Sequence, residues 1–245
     1  MSGARAVSRP FDHTVRYVVV NADDLGSSTG INRGIVEAHH RGTLTSTSLM
    51  VNMAASQDAA DLTRDLPALS VGLHVNLTDP AGQPLVDLET GARCREVLQQ
   101  QIDTFQGFMG RLPTHIDSHH NVHRNPQLLR YFLEVAERYE LPLRSHSPVR
   151  YCSKFYGQWS GETHLEQISV QGLIRLLETE IAAGVTELSC HPGYCDPGLR
   201  SVYGRERETE LQSLCDPAVK EFLSMRRIRL VNFVEAMDLV SVSHE

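Results

Sequence analysis

Apolar positions along this chain follow two rhythms that take turns. Short runs rich in β-branched residues predict strands at 16–21, 46–51, 70–77, 114–117, 142–144, 186–190 and 229–232. Between them, apolar residues at helical spacing predict helices at 30–41, 56–64, 94–109, 126–139, 170–183 and 216–225. Strands that alternate with helices in this way imply a parallel sheet with helices on its outside. The alternation fails over 149–166, where Tyr151, Phe155, Tyr156 and the single tryptophan, Trp159, crowd into a stretch without either period. Such a segment reads as a loop or lid over a site. Residues 1–14 mix Gly, Ser, Arg and Pro without periodicity and read as a loose leader, so the folded domain is expected at 15–240.

Length and charge narrow the picture. A chain of 245 residues with 41% hydrophobic and 22% charged positions fits one globular domain, and a single α/β barrel of that size is ordinary. The formal net charge of -7 gives no basic face with which to displace counterions from phosphates, so no nucleic-acid partner is expected. Apolar runs such as Tyr17-Val18-Val19-Val20 are far too short to cross a bilayer, and no secretory signal is evident. The expectation is therefore a cytoplasmic protein with no membrane partner. Five cysteines without a CxxC pair indicate reduced thiols rather than a disulfide framework or a cysteine metal site.

Chemistry collects where predicted strands end. Asn21-Ala22-Asp23-Asp24, Gly72-Leu73-His74, Asp117-Ser118-His119-His120-Asn121-Val122-His123 and Cys190-His191-Pro192-Gly193-Tyr194 all follow apolar runs. In a parallel barrel the carboxyl ends of the strands share one face, so these residues converge. Two adjacent carboxylates repel; a divalent cation on one helps keep the other ionised as a general base. Taken alone, one aspartate of the pair could equally cap the following helix, and His74 could be a hydrogen-bonded structural histidine. Asp117, His119, Asn121 and His123 alternate, so an extended segment would present ligands on one side, whereas a turn after Ser118 would let only some of them reach one ion. His191, before the turn signal Pro192-Gly193, could donate a proton to a leaving group or simply hydrogen-bond a loop carbonyl. Arg144 could bind a carboxylate or orient an active-site aspartate.

As an ordered set, these segments, with Thr45-Ser46-Thr47-Ser48-Leu49-Met50-Val51-Asn52 and Pro113-Thr114-His115-Ile116-Asp117, resemble the motifs of the YdjC-like carbohydrate deacetylases, which include the chitooligosaccharide deacetylases. The resemblance spans about residues 16–240. It implies a single-domain (β/α) barrel, incomplete or distorted relative to a TIM barrel. One divalent cation is implied, held by Asp24, His74 and His119, with Asp23 as catalytic base and His191 as general acid. Mg²⁺ or Zn²⁺ are the first candidates, with Co²⁺, Ni²⁺ and Mn²⁺ also suited to two nitrogens and a carboxylate. The implied reaction removes N-acetyl groups from amino sugars or short oligosaccharides, with an acetylated sugar as the small-molecule partner and a homodimer within the expectation. Arg144, Tyr194 and Trp159 are the substrate contacts anticipated. Rival readings are a metal-dependent phosphoesterase or amidohydrolase on the same architecture, or a sugar-binding protein that keeps the metal site without catalysis.

Overall fold

A computed structural model describes residues 14–79, 82–196 and 203–241. The leader expected at 1–14 thus lies outside the described residues but for Thr14. The chain opens with β1 (Arg16–Leu25), α1 (Thr29–Arg41), β2 (Ser46–Leu49), α2 (Ser56–Thr63), β3 (Ser70–Val75), α3 (Cys94–Met109) and β4 (Ile116–Ser118). A 3₁₀ segment, His119–Arg124, then precedes α4 (Leu129–Arg138), β5 (Arg150–Cys152), the two short strands β6 (Gln158–Trp159) and β7 (Glu162–Thr163), and α5 (Val170–Thr179). The last elements are β8 (Gly184–Cys190), α6 (Gly204–Cys215), α7 (Pro217–Met225), β9 (Ile228–Leu230) and α8 (Phe233–Ser241).

Every strand of the main sheet pairs in parallel, in the order β4-β3-β2-β1-β8-β5. β9 joins the first residues of β1 on the edge that β2 takes further along. The curved sheet makes a single α/β half-barrel: the alternation of periods anticipated its parallel strands, and the family resemblance implied the incomplete barrel. The strand expected at 142–144 is reduced to one parallel bridge, Ile116 to Leu143.

Period two divides the strand side chains into two populations. Val18, Val20 and Ala22 of β1, Val71, Leu73 and Val75 of β3, and Leu188 and Cys190 of β8 point outward into the large core beneath the helices. Tyr17 and Val19 of β1, with Val185 of β8, point inward to a smaller cluster. That cluster is closed at the base by Phe233, Ala236 and Val240 of α8, and Phe233 also stacks on His115 at 3.8 Å. The inward series continues upward as Asn21 and Asp23, Glu187 and Ser189, His74, and Asp117, all buried. The barrel interior is therefore apolar at its base and polar toward the carboxyl ends of the strands, which is where a reaction can be staged. Among the described residues no helix is long and apolar enough to cross a membrane.

Candidate active site

Asp23 and Asp24 are consecutive on one strand, so ordinary alternation would send them to opposite faces. The register between β1 and β2 slips between Ala22 and Leu25, and Asp24 adopts a left-handed φ of 69°. This bulge brings both carboxylates to the same rim. The turn that follows needs Gly26, at φ 92°, because a Cβ there would stand 2.5 Å from the carbonyl oxygen of Met50.

The two carboxylates sit in different company. Asp23 receives a two-pronged bond from Arg144, with Nη1 to Oδ2 at 2.8 Å and Nη2 to Oδ1 at 2.7 Å. Asn21 Nδ2 adds a third donor to Oδ1 at 2.9 Å. Arg144 also contacts Asp117 at 2.6 Å and Glu187 at 2.6 Å, so one buried guanidinium serves three carboxylates. Burial works against its charge, but Asp117, Asp23 and Glu187 together raise its pKa well above the usual arginine value. Burial pushes Glu187 up to about 7, and Arg144 only partly offsets this.

Asp24 instead turns Oδ1 toward two histidines, with His74 Nε2 at 3.3 Å and His119 Nδ1 at 3.0 Å. Its Oδ2 accepts from Arg207 Nη2 at 2.5 Å. Burial opposes ionisation of Asp24, yet Arg207 and the two histidines outweigh it and hold the carboxyl well below its usual range. His74 is oriented from behind, since its Nδ1 lies 2.7 Å from Asp117 Oδ1 and leaves Nε2 facing Asp24. Burial disfavours an imidazolium here, but Asp117, Asp24 and Asp23 raise the His74 pKa to about 10. A position that holds a proton so firmly between carboxylates is one a divalent cation can take over.

Two groups of ligand atoms, each within 4.8 Å of one another, could receive such a cation: Asp24 with His74 and His119, and Asp23 with His74 and Asp117. The second is closed off, because Arg144 already places positive charge against both of its aspartates. Asp24, His74 and His119 all line a cavity of about 570 Å³ at the rim, so the first group fits a resident cation in both chemistry and access.

His191 follows β8 on the same rim, with Nε2 at 3.9 Å from Asp23 Oδ2. Its loop is held close to α1, where a Cβ on Gly34 would meet the Cα of Gly193 at 2.6 Å. Burial lowers the His191 pKa to about 4, with Asp23 and Asp24 only partly compensating, so the ring is neutral at neutral pH. Its backbone N–H donates to the buried Glu210 at 2.5 Å. The same carboxylate accepts from Tyr203 Oη at 2.5 Å, and burial raises Glu210 to about 8.

The structure thus brings Asp23, Asp24, His74, His119 and His191 to one cavity and leaves three other anticipated residues off its surface. Arg144 reaches Asp23 but is buried beneath it. Tyr194 points away and donates to Glu37 at 2.5 Å. Trp159 sits on the β6–β7 hairpin, 47% exposed, stacked on His164 at 3.6 Å. In the segment 149–166, Phe155 is core, while Tyr151 and Tyr156 line the cavity. The chain does turn after Ser118, so Asp117, His119, Asn121 and His123 do not share a face: His120 and Asn121 take positive φ, and His123 is buried with Nδ1 at 2.7 Å from Ser118 Oγ. Tyr203, Arg207 and Glu210 lie on or beside α6, for which the apolar pattern predicts no element.

Residues 17–225 match the model of the family described as YdjC-like protein. A carbohydrate deacetylase of Geobacillus stearothermophilus is 35% identical over 250 residues, covering 90% of this chain and 98% of that protein. Among solved structures, an Enterococcus faecalis V583 protein described as a cellobiose-phosphate cleavage protein superposes with a TM-score of 0.76 at 30% identity, covering 90% of this chain and 98% of the other. A peptidoglycan deacetylase of Bacillus subtilis, at 12% identity and a TM-score of 0.53 over 94% of each chain, is similar in fold alone.

Proposed function

The chain belongs to the YdjC-like family, and from that premise we propose that it is a metal-dependent deacetylase that hydrolyses the acetamide of N-acetylated amino sugars or short oligosaccharides, releasing acetate. The observation that carries the reading is the meeting of Asp24 Oδ1, His74 Nε2 and His119 Nδ1 in the same cavity as the Asp23–His191 pair. The carbohydrate deacetylase name of a relative at 35% identity supplies the substrate class.

Asp24, His74 and His119 would hold the cation, which when bound supplies Lewis acidity toward the acetamide carbonyl and makes water a better nucleophile. Zn²⁺, Co²⁺, Ni²⁺ and Mn²⁺ suit this donor set, and Mg²⁺ is to be tested beside them. Asp23 takes the proton of the attacking water, and Arg144 holds the carboxylate in the orientation that does so. His191 starts neutral, so the proton that leaves the nucleophile is the one it passes on: Asp23 Oδ2 stands 3.9 Å from its Nε2, and the departing amine is the stronger base. No proton has to be drawn from bulk solvent before the carbon–nitrogen bond breaks.

Acetate release from N-acetylated mono- and oligosaccharides, with each metal restored to stripped protein, tests the reading. Asp23→Asn should keep its metal and lose roughly two or more orders of magnitude in turnover. Hydrolysis of chromogenic phosphate esters with no acetate from any sugar would overturn it.

A further inference from the structure

Tyr156 faces the cavity without a part in the chemistry above. It is 38% exposed and lines the site, whereas its neighbour Phe155 is fully buried in the core and anchors the segment. Tyr203 covers one face of its ring, with centroids 4.7 Å apart and planes within 6°. His191 makes T-shaped contacts with both rings, at 5.5 Å from Tyr156 and 5.7 Å from Tyr203. What is left to the cavity is an aromatic surface backed by a second aromatic.

The backing is rigid. Tyr203 is 6% exposed, donates to Glu210 and accepts from the backbone N–H of Gly157 at 2.6 Å, which is the peptide that follows Tyr156. Glu210 also fixes the His191 backbone. One buried carboxylate therefore sets the positions of both the aromatic surface and His191. A ring fixed in this way loses little rotamer freedom when a ligand covers it.

A pyranose has an apolar face of C–H groups and a polar rim of hydroxyls, so it is the ligand that matches such a surface surrounded by hydrogen-bonding groups. Here those groups are Ser153, Ser189 and Asn121, which line the same cavity. A sugar ring lying on Tyr156 stands beside His191, in the cavity that Asp24 also lines. We propose that the open face of Tyr156 is the platform for the sugar ring whose acetamide is cut, and that it sets affinity for sugars rather than the rate of bond breaking. The identity of the sugar rests on the deacetylase reading; the platform itself rests on the ring geometry.

The test pairs two ligands. Binding of the glucosamine trimer, which has no acetyl group to lose, is followed by calorimetry, and turnover is followed as acetate release from the N-acetylglucosamine trimer. Tyr156→Ala should weaken trimer binding and raise KM roughly tenfold, the size of one aromatic stacking contact, with kcat held within about threefold. Tyr156→Leu, which keeps bulk against Tyr203 without an aromatic face, should behave like Tyr156→Ala, and Tyr156→Trp should retain trimer affinity. Unchanged Kd and KM in Tyr156→Ala and Tyr156→Leu, or a loss confined to kcat, would overturn the platform while leaving the deacetylase reading in place. Trimer binding that depends on Tyr156 in a protein that releases no acetate would uphold the platform and remove the deacetylase reading.

Discussion

Replacing Arg144 by Met removes one guanidinium and strands three carboxylates. Asp23, Asp117 and Glu187 are 5%, 0% and 2% exposed, and each has its shortest cationic contact with Arg144, at 2.6–2.7 Å, with His74 also 2.7 Å from Asp117. Breaking a buried pair by deleting one partner costs about 3–5 kcal/mol, because the other charge stays out of water uncompensated. That is a large part of the roughly 5–15 kcal/mol that holds a domain folded. The pH dependence follows from the same loss. Without Arg144, Glu187, which burial already holds at about 7, rises further, and Asp117 loses the largest of the charges that hold it low, so the folded state keeps protons that the unfolded state releases. Stability is then fully present below the unfolded carboxyl pKa and is lost as pH rises through the raised folded ones. Urea melts at fixed metal should therefore show a deficit near 3–5 kcal/mol at about pH 8 and a smaller one at about pH 5. Acetate release should fall as well, since Asp23 loses the group that orients it. Arg144→Lys, which returns the charge but not the fork, should recover only part of both. A deficit below about 1 kcal/mol at both pH values would refute the view that this guanidinium holds the interior together.

Other expectations follow from single contacts. His74→Ala and His119→Ala should each lose most bound metal after dialysis while remaining folded, and full occupancy in both would remove them from the ligand set. Asp117→Asn leaves every proposed ligand in place but takes the charge from behind His74, so metal affinity should fall about 10–100-fold, measured by competition with a chelator. Glu187 has a folded pKa of about 7 against an ordinary 4.5, so its contribution is present below 4.5 and lost as pH climbs to about 7. Glu187→Gln should flatten the stability profile across that window by an amount on the order of 3 kcal/mol, and a profile parallel to the unsubstituted protein would show that Glu187 is already ionised when buried.

Much of this site is written in the chain because strand ends in a parallel sheet share a rim, so apolar runs ending in Asp23-Asp24, His74, Asp117 and His191 announce their own convergence. The long helix at 94–109 is read correctly to the residue, since its buried Val97, Leu98, Ile102 and Phe105 keep helical spacing. The failures have physical causes. The polar alternation of Asp117, His119, Asn121 and His123 looks the same in an extended strand and in a tight turn, and His and Asn are among the few residues that accept the positive φ this turn needs. Helix α6 shows no apolar stripe in the sequence, because its buried residues include Glu206, which accepts from Gln158 and Thr163, and Glu210, which accepts from Tyr203 and the His191 backbone. Arg207, Tyr203 and Glu210 were lost with it. Trp159 is anticipated as a substrate contact from the crowding of aromatics at 149–166, but it does not line the rim cavity: it sits on the hairpin that turns at Ser160 and Gly161, both at positive φ.

The bulge at Asp24 can be tested separately from the chemistry it serves, because its cost and the carboxylate's role respond to different substitutions. A residue with a Cβ in the left-handed region carries about 1–2 kcal/mol of strain that glycine does not. In an ordinary strand the preference runs the other way, with glycine roughly 0.5–1 kcal/mol worse than alanine. Asp24→Gly and Asp24→Ala both remove the carboxylate from His74, His119 and Arg207, so those losses cancel in the comparison. If φ 69° is what turns two consecutive aspartates onto one rim, Asp24→Gly should melt as the more stable of the two by about 1 kcal/mol, with metal lost from both. An alanine variant as stable as the glycine variant, or more so, would mean that residue 24 does not hold the left-handed conformation in solution. Asp23 and Asp24 would then fall on opposite faces of β1, and a base and a metal ligand drawn from neighbouring residues could no longer serve the same cavity.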